Sequence, residues 1–519
     1  TKVIGFTIRN GYVNGGNGTP GRYGVFTPVP YEFQPTEDDP DPNDTPPRAE
    51  RGGDAQGNGY GGAILCENGS SPRITNCIIT NSTVTGAHGG DGAWGQFEFI
   101  TGMDRDDLPD EWQFVPPTAD PADDPQTSGD GQWGGHGGTG TGNGYGGAIA
   151  CLDGSSPVIT NCTFRDNAAR GGMGGTGGNG GTTSGGNESG GGFGGDAIGD
   201  GIGGGIYSDN QSLPLIKDCK FENNTATTGT PGQGGAVGIG GALDPPAQPG
   251  ATGLIQSNGG IAGGAAYFDN NSDANITNSI FSDNEASDLS TLSIIDGLTI
   301  ISIEPTITYT RGGALYSTNN NTVTLKNCQF TGNLGGAVYC SAENTLDVNE
   351  CIFKENADAN DGSAIYLAEN VNAEIKNSDF TGNSALLNGG AVYTLSDADF
   401  TECSFANNIA GQNGGAVEAY YDTNSPDTRE ILSFSFDRCR FVRNQATKGL
   451  YGWGGAVHFQ DFIADFNDCY FINNTAKSGG GLFLSAGTVT INGGVIKGNK
   501  SIGGSGISLM SEQDLEEFL

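Results

Sequence analysis

Two groups of side chains in this chain have the types and spacing to do chemistry. Carboxylates crowd two proline-containing stretches, with Asp38, Asp39 and Asp41 in the first and Asp104, Asp106, Asp107 and Asp110 in the second. Hard cations take several oxygen ligands at once, so these seven residues are the candidate calcium ligands and calcium is the one cofactor expected. The bland alternative is a pair of solvated acidic loops without metal. The second group is sulfur and imidazole. Eleven cysteines include no Cys-x-x-Cys, and His88, His136 and His458 share no ligand spacing with them, so zinc is not expected. Eight cysteines (Cys77, Cys162, Cys219, Cys328, Cys351, Cys403, Cys439 and Cys469) instead sit two residues before a recurring hydrophobe. Cys66, Cys151 and Cys340 lie eleven residues earlier still, as a second buried column. Stacking would also bring equivalent thiols within disulfide range.

The elements that position these groups are repeats. Gly-Gly-Ala starts recur at Gly61, Gly146, Gly263, Gly312, Gly335, Gly389, Gly414 and Gly454, with variants at Gly204, Gly362, Gly479 and Gly504. Each is matched by a hydrophobic-x-x-Asn end. Nine ends read Phe-x-x-Asn and finish on Asn167, Asn224, Asn284, Asn333, Asn356, Asn383, Asn408, Asn444 and Asn474. Where nothing is inserted, starts at 312, 335, 362, 389 and 414 lie 23 to 27 residues apart, too short for a two-helix repeat and right for one β-helix coil. Glycine, at 92 of 519 residues, and the Val, Ile, Thr and Phe between glycines suit brief strands broken by turns. In Ile159-Thr160-Asn161-Cys162-Thr163-Phe164, the cysteine and phenylalanine share a face, which must be the interior. The asparagines are expected to form a structural ladder at a sharp corner, tolerating a left-handed backbone and bonding the amides above and below.

The fold class expected is therefore all-β, a parallel β-helix of about twelve coils over residues 1–509, with 510–519 a cap or the start of a continuing segment. Insertions at 11–60, 82–145, 168–203, 225–262 and 285–311 all leave the coil between the asparagine and the next glycine start, and so form one lobe beside the N-terminal half. A shorter excursion runs from Tyr420 to Ile431. After Asn333 only Leu334 precedes the next start, and later coils need 4 to 9 residues there. The tract Gly171-Gly172-Met173-Gly174-Gly175-Thr176-Gly177-Gly178 keeps a three-residue period, as a flexible linker or as extended left-handed strands packed side by side. Trp94, Trp133, Tyr145 and Phe193 sit among such glycines as anchors, which favours packing.

The paired tetrapeptides Gly-Gly-Ala-(Ile/Leu/Val) and Phe-x-x-Asn resemble the repeats of the polymorphic outer-membrane-protein family. That resemblance covers residues 61–509 and implies a right-handed parallel β-helix, exported to a bacterial surface and used in adhesion. No C-terminal membrane barrel is seen, and Thr1 falls mid-coil, so the chain is expected to be part of a longer precursor. Its opening, Thr1 to Asn10, resembles repeats of large secreted β-helix proteins of environmental bacteria.

With 60 acidic against 23 basic residues, the net charge of −37 repels nucleic acid and anionic membrane. No run approaches 18 apolar residues, so no span is expected. The expected partners are other surface proteins or glycans, and further copies of the chain stacked end to end or side by side in a filament. An extracellular or cell-surface, non-catalytic role follows. The alternative is a polysaccharide-degrading enzyme of the pectin lyase-like fold, because Gly135-His136-Gly137 echoes a polygalacturonase motif. Its companions are missing: no Asn-Thr-Asp precedes it and no Arg-Ile-Lys follows. Gly191 to Ile198 matches a single calcium-binding nonapeptide, which works only as consecutive turns.

Overall fold

A computed structural model describes residues 1–19, 51–93, 135–180, 191–236, 255–256, 262–287, 311–341, 343–358, 360–419, 431–446 and 452–510. The seven calcium candidates, Trp94, Trp133, residues 420–430 and the 511–519 tail lie outside them.

The described chain is a right-handed parallel β-helix, in which each strand pairs with its counterpart one coil on. The central stack holds twelve parallel strands, from Thr7–Arg9 to Val495–Lys497. Its register puts Phe221 on Phe281, Phe281 on Phe330 and Phe330 on Phe353. Strands one coil apart repeat at ~4.8 Å, so identical side chains lie directly over one another. The phenylalanines from Phe164 to Phe471 accordingly form an unbroken column, neighbouring rings 4.7–4.9 Å apart. Two further stacks close each coil, one following the glycine start and one preceding the phenylalanine. They fuse at the C-terminal end, where Val457–Asn467 and Leu482–Asn492 each run through both, bent at Asp461 (φ 55°) and Ala486 (φ 46°).

Beside the phenylalanines the small cysteine or serine column completes the interior. All eleven cysteines are free and buried. Thiols such as Cys162 donate to the carbonyl two residues back, at 3.3 Å. Burial pushes the Cys340 thiol up to about 12, which leaves it unreactive.

The asparagines occupy the corner after the phenylalanine strand, fully buried. Each bonds both neighbouring coils. Asn284 Nδ2 donates to Phe221 O of the coil before and to Asn333 Oδ1 of the coil after, both at 3.0 Å, while its backbone N–H also reaches Asn333 Oδ1. The column runs from Asn167 through Asn474 and on to Asn499. One detail corrects the sequence reading: the left-handed residue is the one before the ladder position, as at Asp166, Asn223, Asp283 and Asn407. The ladder residue must point inward to reach both floors, so the chain turns one residue earlier, where the side chain faces solvent.

The described parts of the insertions build a second, differently held body. Strands at Tyr12–Asn14, Thr83–Thr85, Ala168–Arg170, Thr225–Thr227 and Glu285–Ser287 form a five-stranded sheet at the lobe's base. Beyond it the glycine tracts lie side by side as extended chains with a three-residue period. Gly174, Gly177 and Gly180 donate to the carbonyls of Thr230, Gln233 and Ala236, while Gly172, Gly175 and Gly178 donate to those of Gly142, Gly138 and Gly135. Two of every three residues thus face a neighbouring backbone, the habit of a left-handed polyproline II chain. Glycine is required there: a Cβ on Gly137 would stand 1.9 Å from Gly175 O.

Candidate functional site

Outward-facing positions carry what chemistry the coils leave free. In the stack after the glycine start, the middle residue of each strand points away from the core, and register aligns Tyr207, Tyr267, Tyr316, Tyr339, Tyr366 and Tyr393. Tyr60 and Tyr145 continue the column into the lobe, giving eight tyrosines in a row with ring centroids 4.7–5.6 Å apart, stacked except for the tilted Tyr145–Tyr207 pair. Their mutual packing strips water from the rings, and burial pushes the Tyr366 hydroxyl up to about 12. At the C-terminal end the column changes to Glu418, His458 and Phe483. There His458 Nδ1 meets both Glu418 oxygens at 2.8 and 2.9 Å, and both residues are buried. Trp453 stacks on Phe483 beside them at 5.0 Å. Burial raises the Glu418 carboxyl and the imidazole pulls it back. Shut away from solvent, this pair ties coils together.

An indentation opens beside the tyrosines where the lobe ends. The base sheet of the lobe stops at Glu285–Ser287, and a second five-stranded sheet starts at Ala357–Asp358. Between them the coil has only Leu334, paired by single bridges to Glu285 and Ala357. One missing strand leaves a notch. Its polar compartment, about 250 Å³, is lined by Arg311, Tyr339, Asp358, Asn360, Asp361 and Tyr366 over a floor that includes Gly335, Gly336 and Gly362. An adjoining compartment of about 450 Å³ shares Gly335 and Asp358 and is walled by Ala286, Leu334, Ala357, Ala385 and Leu386.

The polar groups of the notch are held in place. Arg311 donates to Tyr339 Oη at 2.6 Å, its guanidinium carbon 4.8 Å from that ring's centre. Asp358 Oδ1 accepts the Asn360 N–H at 2.6 Å. Asp361 Oδ1 accepts the Asn388 backbone and side-chain N–H at 2.8 and 3.0 Å, and Asn388 Oδ1 in turn accepts the Asn413 N–H. Burial, with the charge of Asp361 adding, pushes the Asp358 carboxyl up to about 7 against the pull of Asn360 and Arg311. Asp361 is raised too, again by burial. Such shifted groups in a concave, mixed polar and apolar site are the usual marks of ligand recognition.

The sequence-derived candidates lie elsewhere. His136 sits in the glycine lobe, where Nδ1 accepts the Phe193 N–H at 2.8 Å and the two rings stack at 4.8 Å. It is not joined to the notch residues. Among the described residues no three His, Cys, Asp or Glu side chains gather in a way that could hold a metal ion. The ladder asparagines are buried and bonded to one another. Sequence reasoning missed the notch, although its signal was present: Leu334 is the single residue between Asn333 and Gly335, the shortest such passage in the chain.

Two comparisons bear on the whole. Residues 255–410, which include most of the notch, match the family described as right-handed beta helix region. Residues 468–485 match the Chlamydia polymorphic membrane protein repeat. No curated protein and no solved structure matches the chain. The chain is thus a right-handed parallel β-helix protein similar to the polymorphic membrane proteins in its repeats.

Proposed function

We propose that the chain is a surface-displayed, adhesive β-solenoid that binds its partner without transforming it, through the flank where lobe and coils meet. The observation that supports this most is where the polar side chains are committed. Asparagines, serines and thiols bond coil to coil, and a polar recess is built as a notch on the rod's side. The polymorphic membrane protein repeat at 468–485 points the same way, to a surface-associated protein. No helix among the described residues is long and apolar enough to cross a membrane. Partners are other surface proteins or glycans, with end-to-end or lateral packing of copies a further use of the rod. Calcium on Asp38, Asp39, Asp41, Asp104, Asp106, Asp107 and Asp110 belongs to this proposal and would stiffen the acidic loops.

A second reading is kept by one observation, an arginine and two raised carboxyls in a single recess, which is also what a polysaccharide-cleaving site needs. One pair of assays separates them. Beads coated with the full chain are expected to attach to cells or to immobilised glycans, and neutral and acidic polysaccharides to yield no new reducing ends or unsaturated products. Steady turnover that disappears in Asp361→Asn would establish the enzyme instead.

A further inference from the structure

We infer that the notch takes one uncharged sugar residue of a surface glycan, its hydroxyls on Asp361, Asp358 and Arg311 and an N-acetyl group in the Leu334–Leu386 compartment. This rests on the adhesive reading above and names its ligand.

Charge decides first among ligand classes. A carboxylate entering the polar compartment meets Asp358 and Asp361 and a chain of net charge −37. An ammonium, though drawn by the two carboxyls, is repelled by Arg311 in the same compartment. A sugar meets neither penalty, because each hydroxyl both donates and accepts, and neighbouring hydroxyls can bridge a fixed donor and a fixed acceptor. Arg311 is donor only, and Asp361, whose Oδ1 already takes two N–H groups from Asn388, serves as acceptor. Asp358, held near neutrality at about 7, does either.

Shape decides next. The tyrosine faces are taken by their neighbours in the column and the Tyr339 hydroxyl by Arg311, so Tyr366 offers an edge and a hydroxyl, which suits hydrogen bonding over stacking. The glycine floor lets a ring come down on the backbone. A Cβ on Gly336 would already stand 3.0 Å from Asp358 Oδ2. The polar compartment is sized for one ring. A plain hexose would leave the apolar annexe wet, whereas an acetamido methyl reaching past Asp358 would cover Ala357 and Leu386, the latter 63% exposed in its absence.

Titration calorimetry of the full chain with three probes tests this: the trimers of N-acetylglucosamine, glucose and galacturonic acid. The acetylated trimer is expected to bind at least tenfold more tightly than the glucose trimer, and the acidic trimer not to saturate. Asp361→Asn and Arg311→Gln should each weaken the acetylated trimer tenfold or more when titrated well below each variant's own melting midpoint. Leu386→Lys, on an exposed side chain, should erase the preference between the two neutral trimers and leave glucose-trimer affinity as it was. Failure of both neutral trimers to saturate, strongest binding by the acidic trimer, or unchanged affinity in Asp361→Asn and Arg311→Gln overturns the assignment. Bead attachment that persists in those variants removes the sugar and spares the adhesive reading. Absence of attachment by the unaltered chain removes the reading itself.

Discussion

The coil stack and the lobe beside its N-terminal half are held together by different atoms. Along the coils, side chains carry the stacking: phenylalanine on phenylalanine, asparagine on asparagine. In the lobe beside the N-terminal half, backbone bonds backbone for the most part, with a few side chains such as Asp91 and His136 accepting N–H groups across it. Side-chain ladders demand identity at one position per coil. A glycine layer demands only that every inward position lack a Cβ. The first arrangement therefore tolerates almost any outward residue, and the second almost any residue at one position in three.

The largest expected effect breaks the first arrangement. Phe330 is fully buried between Phe281 and Phe353, at 4.8 and 4.9 Å. Phe330→Ala should destabilise the rod by about 3–5 kcal/mol, the usual range for removing a buried ring. Denaturant titration followed by circular dichroism measures it. A loss under about 1 kcal/mol would mean that neighbouring coils collapse into the gap, since an unrelaxed cavity costs more, and that the column is not the main support.

A smaller and local effect should break the second. Gly137→Ala drives a methyl group into Gly175 O, and both partners are backbone, so neither can swing aside. Hydrogen exchange is expected to show lost protection at Gly138, Gly175 and Gly178, whose N–H groups bond from one glycine chain to the next, while the strands around Phe330 keep theirs. Exchange rising equally in both regions would show that lobe and rod unfold as one unit and that the contrast between them is false.

The same contrast explains what could be read from the residues. Coils were legible because they repeat: Phe-x-x-Asn and Gly-Gly-Ala mark interior positions, and an interior stacked on itself cannot vary. The three-residue glycine period pointed to packed extended chains for the same reason. The tyrosine column was equally periodic in the strands after each glycine start, but an outward position two residues past Gly-Gly-Ala reads as ordinary variation until register aligns it. The notch was harder still. Arg311, Asp358 and Asp361 are far apart in the repeat pattern, and what joins them is a strand that is not there. The acidic runs that drew attention as calcium ligands stand out by composition alone, which says nothing about what converges on them.

The notch lies on the seam between the two regions, and its acidity gives the finest test of how they meet. Asp358 has a folded pKa of about 7, raised from 3.8 mainly by burial, with Asp361 raising it further and Arg311 and the Asn360 N–H opposing. A carboxyl raised on folding binds its proton more tightly in the native state. Its favourable contribution is whole below about pH 4 and is lost as the pH climbs from there to about 7. Above that range the buried charge is opposed by its surroundings, with Arg311 and the Asn360 N–H as its compensation and Glu285 in the adjoining compartment adding no relief. Asp358→Asn removes the charge and keeps the shape, so its thermal midpoint should exceed that of the unaltered chain at pH 8 and match it at pH 4. A variant that instead melts lower at pH 8 would show that the carboxylate is stabilised by Arg311 more than burial penalises it. The seam would then be held by an ion pair, a third kind of support belonging to neither the ladders nor the glycine layer.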